Sequence, residues 1–380
     1  MNNRERTLAI FRRQHVDRLP AVHFGFWGET VAKFLAEKRF TLDETGGEFP
    51  HNNTPAQAML AKKLGFDFNW EPFLPVTFFL DPPFERERVG ETADGTPLIR
   101  NQYGAVEVEI EGAGGIPAEV DHLLKDRDSY EKYYRERLKY SDRRIPVDRW
   151  RELVGNRAFD WGENPVGLFA GSLFGRLRNA MGLEGVSLLY YDDEALFAEM
   201  IDTVGELTRQ CVERQLTLAG ELGLTVDYVH FWEDICFRNG PLVHPEVFRK
   251  YVAPHYRRIN EYLHRHGVNY ISVDCDGDIR SLAPIWLENG VNVMFPIEIG
   301  TWNGNYGELE RCCGREILGV GGASKFVFAG DYGDVDREIE RLKPLIAEGG
   351  FIPCPDHRIP PDARWENIQY YCDRIKELKI

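Results

Sequence analysis

The densest chemical segment of this chain is Asp274-Cys275-Asp276-Gly277-Asp278, which directly follows an apolar run. Side chains alternate on an extended chain, so Asp274 and Asp276 would project to one face and Cys275 to the other. Two carboxylates held this close repel each other unless a cation or a shared proton lies between them. The segment therefore predicts a metal site or a pair of proton-transferring acids. Acids in this position also cap helices, which is the simpler interpretation of Asp278.

Two further residues complete a candidate metal site. His357 lies in a loop after another apolar run, and Glu233 directly follows Trp232. With Asp274 and Asp276 they form a mixed nitrogen and oxygen set that suits zinc or another divalent ion. In this interpretation Glu233, Asp276 and His357 are also the catalytic groups. The alternative for His357 is a buried structural ring bonded to a backbone carbonyl.

Other side chains near the ends of the apolar runs are candidates for holding a substrate. Phe24 and Trp27 would form an apolar wall for a planar or methylated organic ligand, or would belong to the core. Lys325 follows two glycines and would hold an anionic group, although a solvated lysine also fits such a turn. The predicted substrate-binding residues are Phe24, Trp27, His230, Trp232, Glu298 and Lys325.

These residues would meet if the apolar runs are strands of one parallel sheet. Most runs are short, almost wholly apolar and separated by charged amphipathic segments, as in strands that helices cover on both faces. The clearest helices are predicted at 193–222, 245–266 and 335–347. The alternation favours an α/β fold of the (β/α)8 (TIM) barrel type, whose active site lies at the carboxyl ends of its strands. The eight strands are predicted at 19–24, 66–70, 166–170, 226–231, 269–273, 291–295, 317–320 and 351–353.

One region interrupts the alternation after the second strand. Residues 80–160 contain the turn Asp94-Gly95, a polar and apolar alternation over 105–110, and then a charged stretch. The first two features are typical of a β-hairpin. We therefore predict a single barrel domain over residues 1–380, with a hairpin and helical insertion at about 80–160.

Composition excludes several classes of protein. The 380 residues include 46 Lys and Arg against 61 Asp and Glu, a net charge of −15 without a basic block, so nucleic acid is not an expected partner. No stretch approaches the ~20 apolar residues that span a bilayer, and the N-terminus lacks a signal peptide's apolar run. Seven cysteines without a CxxC spacing predict free thiols and a cytoplasmic protein. Cys275 and Cys354 are second-rank metal ligands, because buried free cysteine commonly fills apolar space.

Several of these segments resemble the uroporphyrinogen decarboxylase superfamily, over nearly the whole chain. The start of the chain through Asp17-Arg18-Leu19-Pro20 looks like that superfamily's opening helix and first strand. Trp232-Glu233-Asp234 with Asn239-Gly240-Pro241-Leu242 is similar to a segment of its methyltransferase-like branch, as are residues 274–278 and 349–362. The resemblance implies a (β/α)8 barrel with its site at the carboxyl-terminal mouth, and a homodimer.

Two chemistries compete within that superfamily. Porphyrinogen decarboxylases carry an arginine-rich segment after the first strand, whereas residues 23–29 here contain no arginine. The other branch moves methyl groups between a corrinoid and a thiol, or from a methoxy or methylamine donor to a corrinoid. Its thiol-methylating members bind zinc through an HxC pair and a later cysteine. The matching positions in this chain are Asp274, Asp276 and His357.

The resemblance thus implies an oxygen-rich metal site, which suits activation of an ether or hydroxyl oxygen better than activation of a thiol. We predict a metal-dependent methyltransferase, using zinc or another divalent ion. It would move a methyl group between a small methylated donor and the corrinoid of a carrier protein. The first alternative is decarboxylation of a porphyrinogen-like or other organic acid, with Asp and His protonating a carbanionic carbon. The second is a binding protein that keeps the barrel without catalysis.

Overall fold

Helices and strands alternate along most of the chain, and the computed structural model describes residues 1–108 and 117–378. In chain order the strands are β1 (Val22–His23), β2 (Phe68–Asn69), β3 (Glu87–Glu91), β4 (Pro97–Arg100), β5 (Ala105–Val108), β6 (Glu119–His122), β7 (Gly167–Phe169), β8 (Tyr228–Trp232), β9 (Cys236–Phe237), β10 (Gly240–Pro241), β11 (Tyr270–Asp274), β12 (Val293–Phe295), β13 (Leu318–Ala323) and β14 (Phe351–Pro355).

The longer α-helices connect or flank these strands. They span Asn3–Phe11, Gly28–Ala36, Pro55–Leu64, Val147–Gly155, Gly175–Asp192, Glu194–Glu221, Ala253–Arg265, Ala283–Glu288, Tyr306–Cys313, Tyr332–Ala347 and Trp365–Glu377. The three helices predicted from sequence are all present, although the second begins as the short helix Pro245–Val247 and the π-helical turn Phe248–Val252. Among the described residues, no helix is both long enough and apolar enough to cross a bilayer.

The eight predicted strands correspond to β1, β2, β7, β8, β11, β12, β13 and β14, and each pairs in parallel with its neighbours. The pairing forms a six-stranded sheet, in the order β7-β8-β11-β12-β13-β14, and a separate pair, β1-β2. The predicted parallel strands and the α/β class are therefore confirmed, whereas closure of the two sheets into one barrel stays a prediction.

Buried contacts hold the two sheets and their helices together. The Trp70 ring, just after β2, stacks on Tyr228 of β8 with centroids 4.3 Å apart, and the Tyr228 hydroxyl donates a hydrogen bond to the Trp70 carbonyl. The helix Glu194–Glu221 packs through an apolar stripe at helical spacing, and the Asp193 side chain caps it by accepting from the Leu196 amide at 2.8 Å. These contacts hold the carboxyl ends of the strands in fixed positions relative to one another.

The insertion after β2 is larger than a single hairpin. Strands β3, β4, β5 and β6 form a four-stranded antiparallel sheet in sequence order, with the predicted Asp94-Gly95 turn between β3 and β4. The predicted alternation over 105–110 forms β5 as far as Val108, and Glu109 and Ile110 lie outside the described residues. Arg144, which is 1% exposed, then donates to four backbone carbonyls, including those of Thr77 and Phe79, and so ties the helical part to the segment after β2.

Candidate active site at the carboxyl ends of the strands

A cavity of about 520 Å³ opens at the carboxyl ends of β2, β7, β8, β11 and β14; we call it the mouth cavity. One wall is apolar and aromatic, built from the segment after β2 together with Phe169 and Trp232. The ionisable side chains come from five different elements, and the amide of Asn53 adds a further polar group. The ionisable ones are Glu71, Arg176, His230, Asp274 and Arg358. A concave site with few polar groups in an apolar surround is the usual form of a small-molecule site.

Asp274 is the acid that β11 delivers to this cavity. It is the last residue of the strand, it is 7% exposed, and its backbone carbonyl is fixed by the Glu233 amide at 2.8 Å. Burial raises the pKa of its carboxyl group well above the usual range, and the neighbouring Asp276 raises it further. Burial therefore favours the protonated form of Asp274, a form that can donate to a molecule bound in the mouth cavity.

His230 lies beside this acid as an uncharged ring. It is 1% exposed, and burial lowers its pKa to about 3. Its Nδ1 lies 3.1 Å from the Ser272 hydroxyl, which itself accepts a hydrogen bond from the Trp70 indole at 3.2 Å. Ser272, itself held by Trp70, thus fixes the orientation of the uncharged imidazole. The strand register, which pairs Ser272 with His230, brings the two groups together.

Two arginines that were not predicted as site residues also line the cavity. Arg176 lies one residue into the helix Gly175–Asp192, with its guanidinium 4.3 Å from the Trp232 ring centroid and bonded to the hydroxyl of Tyr103 from the insertion. Arg358 donates to Glu71 at 3.1 Å. No local sequence pattern marks Arg176, because its contacts are distant in sequence. Tyr103 lies 73 residues before it, and Trp232 lies on β8.

A second group of predicted residues gathers around His357; we call it the His357 cluster. The ring stacks on Trp27 at 5.6 Å and meets Phe24 edge-on at 5.8 Å, so the predicted aromatic wall contacts this histidine. His357 Nε2 lies 3.7 Å from an Asp276 oxygen, which is beyond hydrogen-bond length, and buried Nδ1 has no hydrogen-bond partner among the described residues. Burial lowers the pKa of His357 to about 4, and burial together with Glu298 raises that of Asp276.

Glu233, which was predicted as a metal ligand and base, accepts hydrogen bonds from the chain itself. It is 0% exposed, and its carboxylate accepts from the amides of Leu173, Phe174 and Gly175 at 2.7–3.0 Å and from the hydroxyls of Ser172 and Tyr256. These amides begin the helix Gly175–Asp192, whose N-cap residue Phe174 offers no side-chain acceptor. Glu233, directly after β8, therefore caps the helix that follows β7, and its carboxylate oxygens accept from donors of the chain itself.

Glu298 and Lys325 lie near the His357 cluster but not in the mouth cavity. Glu298 is buried and accepts from the Gly277 amide at 2.9 Å, which holds the turn after Asp276. The Lys325 backbone donates to Asp356 at 2.8 Å, and its ammonium group helps to lower the pKa of His357. Of the predicted substrate-binding residues, His230 and Trp232 line the mouth cavity. The other four, which do not line it, are Phe24, Trp27, Glu298 and Lys325.

The predicted metal set is not assembled in the described part of the chain. Over residues 1–108 and 117–378, no group of three or more His, Cys, Asp or Glu side chains is placed to hold one ion. Glu233 is used as a cap, and Asp276 and His357 meet only as a pair. The second-rank candidates Cys275 and Cys354 are buried thiols whose pKa is raised by burial, so they are protonated. The residues present therefore do not fit a three-ligand metal centre.

Comparison with known proteins adds a shared fold. No protein-family model matches the chain, and no curated protein matches its sequence. A methyltransferase from Methanosarcina mazei superposes with a TM-score of 0.61 at 15% identity, over 99% of both chains. A Listeria monocytogenes protein named "Putative Vitamin-B12 Independent Methionine Synthase" gives a TM-score of 0.44 at 12% identity, over 95% of this chain and 98% of that one. The first comparison shows that this chain has the fold of the Methanosarcina protein along its whole length.

Proposed function

We propose that this chain is a methyltransferase of the uroporphyrinogen decarboxylase superfamily. It would move a methyl group from a small methoxy or methylamine donor to the corrinoid of a separate carrier protein. The observation that carries the proposal is Asp274, a buried carboxyl group with a raised pKa at the wall of the mouth cavity. The fold shared with the Methanosarcina methyltransferase is consistent with it.

The proposed reaction needs an acid more than a base. The bond between the methyl carbon and the donor's oxygen or nitrogen breaks, and its electron pair stays on the oxygen or nitrogen. The methyl carbon forms its new bond with the nucleophilic acceptor. Asp274 supplies the proton that neutralises the leaving atom, a form of catalysis worth roughly 10²–10⁴-fold. His230 stays neutral, and its bond to Ser272 keeps the ring in a fixed orientation beside Asp274.

We further propose that the two parallel sheets belong to one (β/α)8 barrel, within a single domain over residues 1–380. A parallel bridge between Phe26 and Ile359 supports this, because it links the chain just after β1 to the chain just after β14. The Tyr228 to Trp70 hydrogen bond is a second link, between β8 and the end of β2. In a barrel the mouth cavity would lie at the usual position of the active site.

A spectroscopic assay tests the proposed activity. The purified protein is mixed with cob(I)alamin and methoxylated or N-methylated donors, and methylation of the corrinoid is followed by its absorbance. We expect the wild type and Asp278→Asn to react, because Asp278 bonds Arg280 outside the cavity, and Asp274→Asn to be strongly impaired. No absorbance change with any donor, or full activity of Asp274→Asn, would contradict the proposal.

A decarboxylase is the second candidate, and the cavity arginines favour it. Arg176 and Arg358 provide cations that residues 23–29 lack, and a protonated Asp274 would also serve to protonate a carbanionic carbon. This reaction releases CO₂ and needs no methyl acceptor. Release of CO₂ from an organic acid without corrinoid would favour this candidate over methyl transfer.

A further inference from the structure

Arg176 is a cavity-lining cation that, among the described residues, has no carboxylate at ion-pair distance. Its guanidinium lies 4.3 Å from the centroid of the Trp232 ring and 5.2 Å from that of the Tyr103 ring, and it donates a hydrogen bond to the Tyr103 hydroxyl. The arginines near it are paired, Arg178 with Asp234 at 3.3 Å and Arg358 with Glu71 at 3.1 Å. Arg176 thus differs from its neighbours in facing the cavity unpaired.

The other ionisable groups of the cavity do not pair with Arg176. Glu71 pairs with Arg358 at 3.1 Å, His230 is uncharged, and Asp274 forms no ion pair with Arg176 in the described part of the chain. Arg176 is therefore a local cationic site in a chain whose net charge is −15. A partly desolvated cation is costly unless it is paired, and burial accordingly lowers the pKa of Arg176.

The guanidinium is also held in a geometry that suits an anion. The Trp232 ring and the Tyr103 hydroxyl hold it in place, and a guanidinium has five N–H donors arranged as a fork. A planar fork of this kind matches the two oxygens of a carboxylate. Trp232 and Phe169 provide apolar wall beside it, and about 520 Å³ accommodates a small organic body.

We infer that the substrate carries a carboxylate, which binds Arg176 while its apolar body lies against Trp232 in the mouth cavity. The inference deepens the proposed function and rests on it, because it makes the methyl donor an organic acid instead of a neutral ether or amine. The carboxylate stays intact in the reaction, and its role is to orient the donor toward Asp274.

Calorimetric binding without any methyl acceptor tests this inference separately from catalysis. The probes are two matched pairs, para-methoxybenzoate with para-methoxybenzamide, and methoxyacetate with methoxyacetamide. We expect at least one acid to bind about tenfold or more tightly than its amide, as for a charge-assisted pair. Arg176→Met should remove this preference and leave amide binding unchanged, and Arg176→Lys should restore part of it.

Arg178→Met is the matched control, because Arg178 is on the same helix and pairs with Asp234 outside the mouth cavity. It should keep the preference for the acid. Equal binding of acids and amides, no binding of either acid at millimolar concentration, or an unchanged preference in folded Arg176→Met would overturn the inference. Arg176-dependent acid binding without methyl transfer would leave the inference standing and remove the proposed function. Methyl transfer from neutral donors at wild-type rate in Arg176→Met would do the reverse.

Discussion

Replacing Glu233 by glutamine separates its structural role from the catalytic role that its sequence context predicts. The carboxylate receives five hydrogen bonds, two on Oε1 from Leu173 and Tyr256 and three on Oε2 from Ser172, Phe174 and Gly175. In Glu233→Gln one oxygen becomes an NH₂ group that faces donors. One or two of these bonds are then lost, and the remaining ones lose their charge.

The size of the effect follows from this count. Hydrogen bonds to a charged group contribute about 1.5–3 kcal/mol each, and breaking a buried charged network costs about 3–5 kcal/mol. We therefore expect Glu233→Gln to lower the free energy of unfolding by about 3–5 kcal/mol. That is a large part of the roughly 5–15 kcal/mol that stabilises a typical protein.

Urea denaturation followed by circular dichroism measures this loss, with Glu298→Gln as the matched control. Glu298 is also buried but accepts one amide, from Gly277, which a glutamine oxygen still satisfies. The control should therefore change stability by no more than about 1 kcal/mol. If Glu233→Gln had wild-type stability but no activity, the helix-capping assignment would be refuted and a role at the substrate or a metal would replace it.

Three further predictions concern the same region. Turnover should fall as pH rises through the raised pKa of Asp274, because only the protonated acid donates. Asp274→Asn should lower turnover about 10²-fold or more and change donor affinity little. Equal pH–rate profiles of the wild type and Asp274→Asn would contradict this. Burial lowers the pKa of His357 from 6.5 to about 4. Between these two pH values the unfolded chain binds a proton at this residue that the folded chain does not, so the free energy of unfolding falls on acidification. His357→Gln should reduce the difference between urea midpoints at pH 7 and pH 5, and an unchanged difference would count against it. A Cβ at Gly175 would lie 1.9 Å from the Glu233 carbonyl oxygen, so Gly175→Ala should lower Tm. Gly220 is also helical, and a Cβ there would have no heavy atom within 4 Å, so Gly220→Ala should keep or raise Tm. The opposite order of Tm values would show that the close approach at Gly175 is not rigid.

The strands were predictable because burial on both faces leaves a local signature. The run 351–353 is apolar throughout and 269–273 is mostly so, and β14 and β11 form there. The boundaries were less predictable at the first strand. Residues 19–24 are all buried, but in β1 only Val22 and His23 pair with β2, because burial and ladder pairing are different properties. In the insertion, β3 and β6 are largely exposed, so no apolar run marked them.

The site was predictable in position but not in roles. Polar residues after strands were expected at one rim, and Asp274, His230 and Trp232 do line one cavity. The role of Glu233 depends on a helix about 60 residues earlier whose N-cap is Phe174. The available signal was Phe174 at the N-cap position, which has no side-chain acceptor; Ser172 accepts only the Arg176 amide, which leaves the amides of residues 173–175 to a distant acceptor.

Isotope transfer tests most directly whether Asp274 at the mouth cavity supports transfer of a methyl group. A donor with a deuterated methyl group is incubated with the protein and cob(I)alamin, and the corrinoid product is analysed by mass spectrometry. With the wild type we expect corrinoid that carries the intact deuterated methyl group, and with Asp274→Asn a strongly reduced yield. Unlabelled corrinoid with the wild type, or equal labelling with both proteins, would contradict it.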